Sequence, residues 1–424
     1  VLVDLAHQRF YFFAIEIWPH EFYYLVGLLV MAGIGLFLVT TTVGRAWCGY
    51  ACPQTVWTDL YLHIERAMDG DRNAQQRLKR KMHCELLVPA LFPTREPARV
   101  ALGALRLPAL ELLLARGRAA GVEQQAPERW LLDAFGGDDS DEDAPLAAGA
   151  LTVLAEGGEP GADPWLRADP VHLRLGREAP TLIPSAAFEI SREEAEALCE
   201  TLNKHFAGAP TFYPLAPGRW CARLAEDIPA ASESPLELAG EDVNRRLSAD
   251  PTGQRWHALL TEIQMVLHQH PVNAERERRG APTLNSLWLW GAGRAPRDAA
   301  GPWRSVCADE PIALGLARLA GMSRRSLPAA AEEWLAHSPD DGRHLLVLDA
   351  LRAAHALDEP EAYAARLRAL ETGWFAPLLG ALRAGRIGMI TLHVPDGADA
   401  RSFEIVRGDL RRIWRRPHAL ERYA

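Results

Sequence analysis

The sequence predicts an α/β protein with a small inserted α+β unit, preceded by one transmembrane helix. Three observations carry this. From Met82 onward, apolar runs of strand length alternate with helical-period stretches and end in turn residues. Between residues 166 and 239 a capped helix flanked by strand-like runs interrupts that pattern. Residues 22–43 carry no charge and are long enough to cross a bilayer as a helix. The net charge of −9 and the lack of a long basic tract argue against nucleic acid as a partner. Six cysteines in 424 residues make no disulfide scaffold; Cys84, Cys199, Cys221 and Cys307 read as buried thiols.

The amino-terminal 81 residues differ from the rest. The run Leu25 to Val39 is strongly apolar, and Trp18, Phe22, Tyr23, Tyr24, Trp47 and Tyr50 sit at its ends as interface aromatics do. Arg45, Arg66, Arg72, Arg77, Lys79, Arg80 and Lys81 follow it, against only Arg9 before it. The positive-inside rule then places the body in the cytoplasm, anchored to the cytoplasmic membrane through residues 22–43. Cys48 and Cys52 are four apart, so one helical turn puts both thiols on one face, suited to copper or to redox chemistry.

The runs Arg9-Phe-Tyr, Trp18-Pro19, Trp47-Cys-Gly-Tyr-Ala-Cys-Pro-Gln-Thr-Val56 and Glu65-Arg-Ala-Met-Asp-Gly-Asp-Arg72 resemble the FixG-like cytochrome c oxidase accessory family. That resemblance implies a membrane polyferredoxin involved in copper delivery. It covers about Val1 to Lys81, and the cysteine runs of the family's ferredoxin part do not occur downstream. The segment is therefore expected to anchor but to hold no iron–sulfur cluster.

Met82 reads as a fresh start, which suggests two unrelated coding sequences joined near Lys81; a natural fusion is the alternative. With a native start at Met82 the protein is expected to be cytoplasmic. Leu86 to Phe92 reads as a strand, and Leu107 to Gly117 as a helix with Pro108 in its first turn and Gly117 as its stop. The acidic run Asp138 to Asp143 lacks the calcium-loop spacing and reads as a solvated loop. In the inserted unit, Asp169–Leu175 and Trp220–Leu224 read as strands around a helix opened by a capping box, Ser191 with Glu194. Residues 82–165 and 240–424 then form the core, with 166–239 inserted.

Further on, Trp256, Leu259, Leu260, Ile263 and Leu267 recur at helical spacing, Pro271 stops that helix, and Leu287–Trp290 reads as a buried strand. Ligands of α/β proteins sit beyond the carboxyl ends of strands, so His268, His270, Asn273 and Asn285 are ligand-binding candidates, with polar capping as the plain alternative. His344–Asp349 and Ile387–His393 read as strands, separated by an amphipathic helix from Glu359 to Ala384 that breaks near Pro377. The tail Arg401 to Arg416 is locally basic: either a solvated face or a contact for an anionic partner.

Four stretches of the body resemble archaeal-type cofactor-independent phosphoglycerate mutases of the alkaline-phosphatase superfamily: Leu107–Gly117, Asp169–Leu224, His270-Pro-Val-Asn273 with Asn285–Gly291, and Leu346–Asp349 to Leu379. The RpfE-type regulatory family resembles all of Met82 to Ala424. The resemblance implies an alkaline-phosphatase-like core and, in active members, two divalent metals (Mn or Mg) with a phosphorylated serine. Here the first strand ends Ala90-Leu-Phe-Pro93 without the metal-binding Asp-Gly, and Leu392 stands before His393 where an Asp belongs. Asp349, His355 and His393 remain as metal candidates, and Arg174, Arg219 and Arg223 as contacts for a phosphorylated small molecule. The expected function is a non-catalytic regulatory or binding protein of degenerate mutase type. A phosphomutase or phosphatase with a rearranged site is the alternative, and a membrane copper or electron-transfer accessory protein is a third reading.

Overall fold

A computed structural model describes residues 2–4, 9–12, 15–17, 22–43, 57 and 81–423, except 104, 137–144, 176–179, 209, 227–232, 242–252, 340 and 397–399. The chain divides into two units, Val1–Gln75 and Gln76–Ala424.

In the first unit, β1 (Leu2–Asp4), β2 (Arg9–Phe12) and β3 (Ile15–Ile17) form an antiparallel sheet in that order. A helix runs over Phe22–Val43, as its unbroken helix-compatible sequence predicts. The expected membrane span is nevertheless corrected. Among the described residues no helix is long and apolar enough to cross a membrane. The assignment to the cytoplasmic membrane, with the body held at it, is withdrawn on that ground.

The second unit is α/β. Its larger sheet is built on β4 (Met82–Leu87), which lies at the centre of seven strands. Its smaller, antiparallel sheet takes β6 (Trp165–Leu175), β7 (Pro180–Pro184), β8 (Thr211–Ala216) and β9 (Arg219–Arg223), together with β10 (Ser286–Gly293). The remaining strands of the larger sheet are β5 (Arg118–Gly121), β11 (Ser305–Cys307), β12 (Ser323–Arg325), β13 (Arg343–Val347), β14 (Ile387–Val394) and β15 (Arg401–Val406). The order is β12-β11-β13-β4-β14-β15-β5, parallel from β12 to β14 and antiparallel beyond. Because β10 pairs with β6, the smaller sheet reaches past residue 239 to Gly293.

Alternation along β4 divides two cores. Cys84 and Leu86 face a core with Leu110, Trp334 and Phe375, whereas Leu87 joins Val347, Ile312 and Trp288 on the other side. A third core, with Leu198, Phe212, Ile263 and Leu287, lies under the smaller sheet. All four described cysteines are buried and free.

Several local readings shift. The first strand runs Met82–Leu87 rather than Leu86–Phe92, because Pro89 and a left-handed Ala90 (φ 57°) turn the chain. Its polar His83 and Glu85 mask it as a strand. Pro271 does not only stop a helix. It occupies the first turn of the next, Pro271–Arg278, where its missing N–H costs nothing. The helix expected to break near Pro377 instead passes through a π-turn, Glu371–Phe375, between Pro360–Leu370 and Ala376–Ala384. A wider turn relieves the clash of a proline ring with the preceding carbonyl.

Gly315, in helix Pro311–Leu319, lies against helix Ala148–Ala155, and a Cβ there would fall far inside the van der Waals contact distance to the Leu151 carbonyl oxygen. Gly315→Ala is expected to cost roughly 2–4 kcal/mol. Gly380→Ala, where a Cβ meets nothing within 4 Å, is expected to gain about 0.5–1 kcal/mol from helix propensity. Paired thermal melts check this, and equal signs would contradict it.

Candidate active-site cavity

The parallel strands β13, β4 and β14 end side by side, and the chain leaving them supplies one polar site. After β4, Ala90 turns left-handed and its N–H donates to Asp396 Oδ2 at 2.7 Å. The Ala90 and Leu91 carbonyls accept from the Tyr363 hydroxyl at 2.9 and 3.1 Å, which fixes the turn from behind. After β13, Leu348 N–H bonds Leu87 O at 2.8 Å, and helix Ala350–Ala356 presents Arg352 and His355. After β14 the chain gives Pro395 and Asp396. A cavity of ≈ 530 Å³ opens here, lined by Thr94, Arg95, Glu237, Arg352, His355 and Asp396 among others.

Charge behind this cavity is concentrated. Arg352 Nη2 donates to Glu128 Oε1 at 2.7 Å, with both side chains nearly out of solvent. Burial opposes the Arg352 charge, but Glu128, Glu237 and Glu310 outweigh it and hold the guanidinium above its ordinary value. Burial, then the Glu128 charge, pushes Glu310 up to about 7 although it accepts from Ile312 N and Ala313 N at 3.0 and 2.7 Å. The same two causes push Glu237 up to about 7. Burial also raises Asp349 and Asp396. Asp396 Oδ1, His355 Nδ1 and Glu128 Oε2 are buried and have no hydrogen-bond partner among the described residues.

A second polar group lies along the same strands. Glu85, buried in β4, accepts from Arg343 Nε at 2.5 Å and has His83 at 3.5 Å and His393 at 3.7 Å. Burial would raise Glu85, but His393, Arg343 and His83 prevail and bring it down to about 2. Burial brings His83 down to about 4 against the pull of Glu85. At 3.7 Å, His393 Nε2 is an electrostatic neighbour of Glu85 and not a bonded one.

The residues singled out in the sequence scatter. Asn273 bonds the Leu267 and Leu284 carbonyls at 2.7 and 2.9 Å and the Leu284 N–H at 2.7 Å. Asn285 bridges the Leu173 N–H and carbonyl at 2.7 and 2.9 Å. His270 caps helix Pro271–Arg278 and meets Thr201 at 3.0 Å, while His268 is exposed. All four precede β10; Asn273 and Asn285 clamp backbone groups and His270 caps a helix. Arg219 faces Glu156 at 3.3 Å, Arg223 faces Asp163 at 3.7 Å, and Arg174 is exposed; none lines the cavity. Among the metal candidates, His355 lines the cavity, Asp349 lies at the end of β13, and His393 sits in β14 beside Trp130 at 4.8 Å. Among the described residues no three or more His, Cys, Asp or Glu are grouped to hold a metal. Cys48 and Cys52 lie outside the described residues.

Asp396, Arg352, Glu128, Glu237 and Glu310 were missed. Asp396 carried a signal, an acid just past the apolar run Ile387–Val394, and so did Arg352 three residues after Asp349. The three glutamates come from distant segments and carried none.

Comparison with known proteins divides the chain in the same way. Residues 25–68 match the family model "4Fe-4S binding domain". The nitrogen fixation protein FixG of Rhizobium meliloti is 73% identical over 78 residues, 18% of this chain and 15% of that protein. The 2,3-bisphosphoglycerate-independent phosphoglycerate mutase of Methanosarcina acetivorans is 30% identical over 223 residues, 49% of this chain and 53% of that protein. A solved cofactor-independent phosphoglycerate mutase from Thermoplasma acidophilum aligns at TM-score 0.38 and 19% identity, over 78% of this chain and 90% of that one. The chain thus spans about a seventh of the FixG protein and about half of the mutase. An amino-terminal FixG-like segment is fused to a body similar to cofactor-independent phosphoglycerate mutases. One expectation is overturned: the 4Fe-4S match and the FixG match point to an iron–sulfur cluster, where the sequence reading expected none and considered copper or divalent metal instead.

Proposed function

We propose that the mutase-like body is a binding module for a small polar molecule, with the cavity past β4, β13 and β14 as its site and no phosphoryl transfer of its own. One observation carries this reading. Two cavity-lining side chains, Asp396 and His355, each bury a polar atom that has no hydrogen-bond partner among the described residues. A buried unpaired polar atom costs about 1–3 kcal/mol, and a bound ligand is what satisfies it. The volume suits a small molecule. The cavity lies where α/β folds hold their ligands, beyond the carboxyl ends of parallel strands.

A specific contact favours a second reading, catalysis by a rearranged site. The Thr94 hydroxyl lies 3.4 Å from His355 Nε2, a nucleophile-and-base arrangement in loose form. Burial, then the Arg95 charge, lowers the His355 pKa, so its ring is neutral and able to accept a proton near neutral pH. Phosphatase and mutase assays on the full chain, with and without divalent cations, separate the two. No turnover is expected. Turnover abolished in both Thr94→Ala and His355→Ala would overturn the binding reading.

A further inference from the structure

The larger sheet ends in two strands that differ in what they offer a neighbour. β12 (Ser323-Arg324-Arg325) closes one edge with two arginines, a charged border of the kind that discourages edge-to-edge pairing. β5 closes the other with Arg118-Ala-Ala-Gly121. Every residue of it is exposed, and among the described residues no strand pairs with its outer side. A Cβ on Gly121 would meet nothing within 4 Å.

The direction of its backbone groups follows from the pairing it does make. β5 runs antiparallel to β15 with Ala120 opposite Ser402, and Val122 just beyond donates its N–H to the Ala400 carbonyl at 3.2 Å. Bonded positions alternate in an antiparallel ladder, so Arg118, Ala120 and Val122 bond inward while Ala119 and Gly121 turn both backbone groups outward. Charge differs between the two ends of the strand. At the Gly117 end stands Arg415, whose Nη1 donates to the Gly117 carbonyl at 2.9 Å, with exposed Arg416 after it. Arg415 also closes a turn, its N–H bonding Arg412 O at 3.0 Å, that holds Ile413 and Trp414 75% and 68% exposed. At the other end lie exposed Val122 and Glu123.

We propose that β5 is the contact between two copies of this chain, paired antiparallel across a two-fold axis at Ala120, so that the two larger sheets join edge to edge. Ala119 then exchanges backbone bonds with Gly121 of the partner subunit, and Gly121 with Ala119 of the partner subunit. The same axis sets Gly117, and with it Arg415, opposite the partner's Glu123. It also brings the Ile413-Trp414 turn to the end where the partner's Val122 lies. Only an antiparallel approach puts the basic end of one strand on the Glu123 end of an identical one; a parallel approach would set like charges together. The small side chains of Ala119 and Ala120 leave that approach open.

The test is analytical ultracentrifugation of the full chain over a wide concentration range, where a dimer is expected. Ala119→Pro removes an outward N–H that no bond within the body uses, so the fold is expected to persist by circular dichroism. Its dimer dissociation constant is expected to rise about tenfold or more, since each dimer loses two backbone bonds. Glu123→Arg, at an exposed position, is expected to weaken the dimer as well, and it decides the matter if the proline variant does not fold. A chain that stays monomeric at every concentration overturns the proposal. So does an assembly of any size whose dissociation constant is unchanged in folded Ala119→Pro or, where that variant unfolds, in Glu123→Arg.

Discussion

Arg352→Met is expected to destabilise the body by about 3–5 kcal/mol at pH 8, and by distinctly less at pH 5. The native guanidinium offsets Glu128 directly and lowers Glu237 and Glu310 from a distance. Replacing it with an apolar chain of similar length keeps the packing and removes the cation. The wild-type protein already holds Glu237 and Glu310 near pKa 7, above the ordinary carboxyl range. A carboxyl group raised in the folded state contributes stability that is fully present below its unfolded pKa, about 4.3, and is lost as pH rises through the folded value. Wild-type stability from these two residues therefore falls between about pH 4.3 and 7, and in Arg352→Met the fall becomes larger and extends higher. Urea unfolding at the two pH values measures it. An equal loss at both would mean that Arg352 acts through packing alone. Glu128→Leu in the Arg352→Met background is expected to recover part of the loss, since replacing a whole buried pair costs less than breaking it.

What the sequence revealed, and what it hid, follows from the range of each interaction. The capping box was legible because its parts are three residues apart: Ser191 Oγ accepts Glu194 N–H at 3.2 Å, and Glu194 returns to Ser191 N–H at 3.0 Å. That Glu194 also holds Arg276 and Arg279, each at 2.6 Å, was not legible, since the partners are more than eighty residues away. The strands Ile387–Val394 and Ser286–Gly293 stood out by their apolar runs. Met82–Leu87 did not, because His83 and Glu85 are polar residues made tolerable at the sheet centre by Arg343, Thr391 and each other. The same reason hid the site. His268, His270, Asn273 and Asn285 drew notice as polar residues near a strand, but that strand belongs to the antiparallel sheet and they lie before it. The relevant strand ends are those of β4, β13 and β14, and only topology brings Ala90, Arg352 and Asp396 together. Asp349, His355 and His393 were singled out as metal ligands; His355 lines the cavity, and among the described residues the three form no metal group.

Asp169→Ala is expected to cost about 3–5 kcal/mol and to loosen the smaller sheet first. Asp169 is buried in β6 and satisfies three donors from two strands. Its Oδ1 accepts from Arg167 Nε and Nη2 at 3.1 and 2.7 Å, and its Oδ2 accepts from the Trp290 indole N–H at 2.7 Å. Arg167 Nη1 continues to the Thr152 hydroxyl at 3.3 Å, tying helix Ala148–Ala155 to the sheet. Arg167, Asp169 and Trp290 are only 6%, 3% and 3% exposed, so water cannot substitute for a lost partner. Truncation leaves a buried guanidinium without its carboxylate and an indole N–H without an acceptor, and both penalties fall on the β6–β10 pairing. Asp169→Asn, which keeps an acceptor for one of these donors but not the charge, is expected to fall between wild type and alanine. Arg167→Met with Asp169→Leu is expected to cost less than Asp169→Ala alone, because it removes the charge that the single change strands. Urea unfolding of the set, with amide exchange across Ser286–Gly293, checks both the order and the location. A double variant as unstable as the single, or exchange unchanged in β10, would show that the Asp169 carboxylate is not what joins these strands.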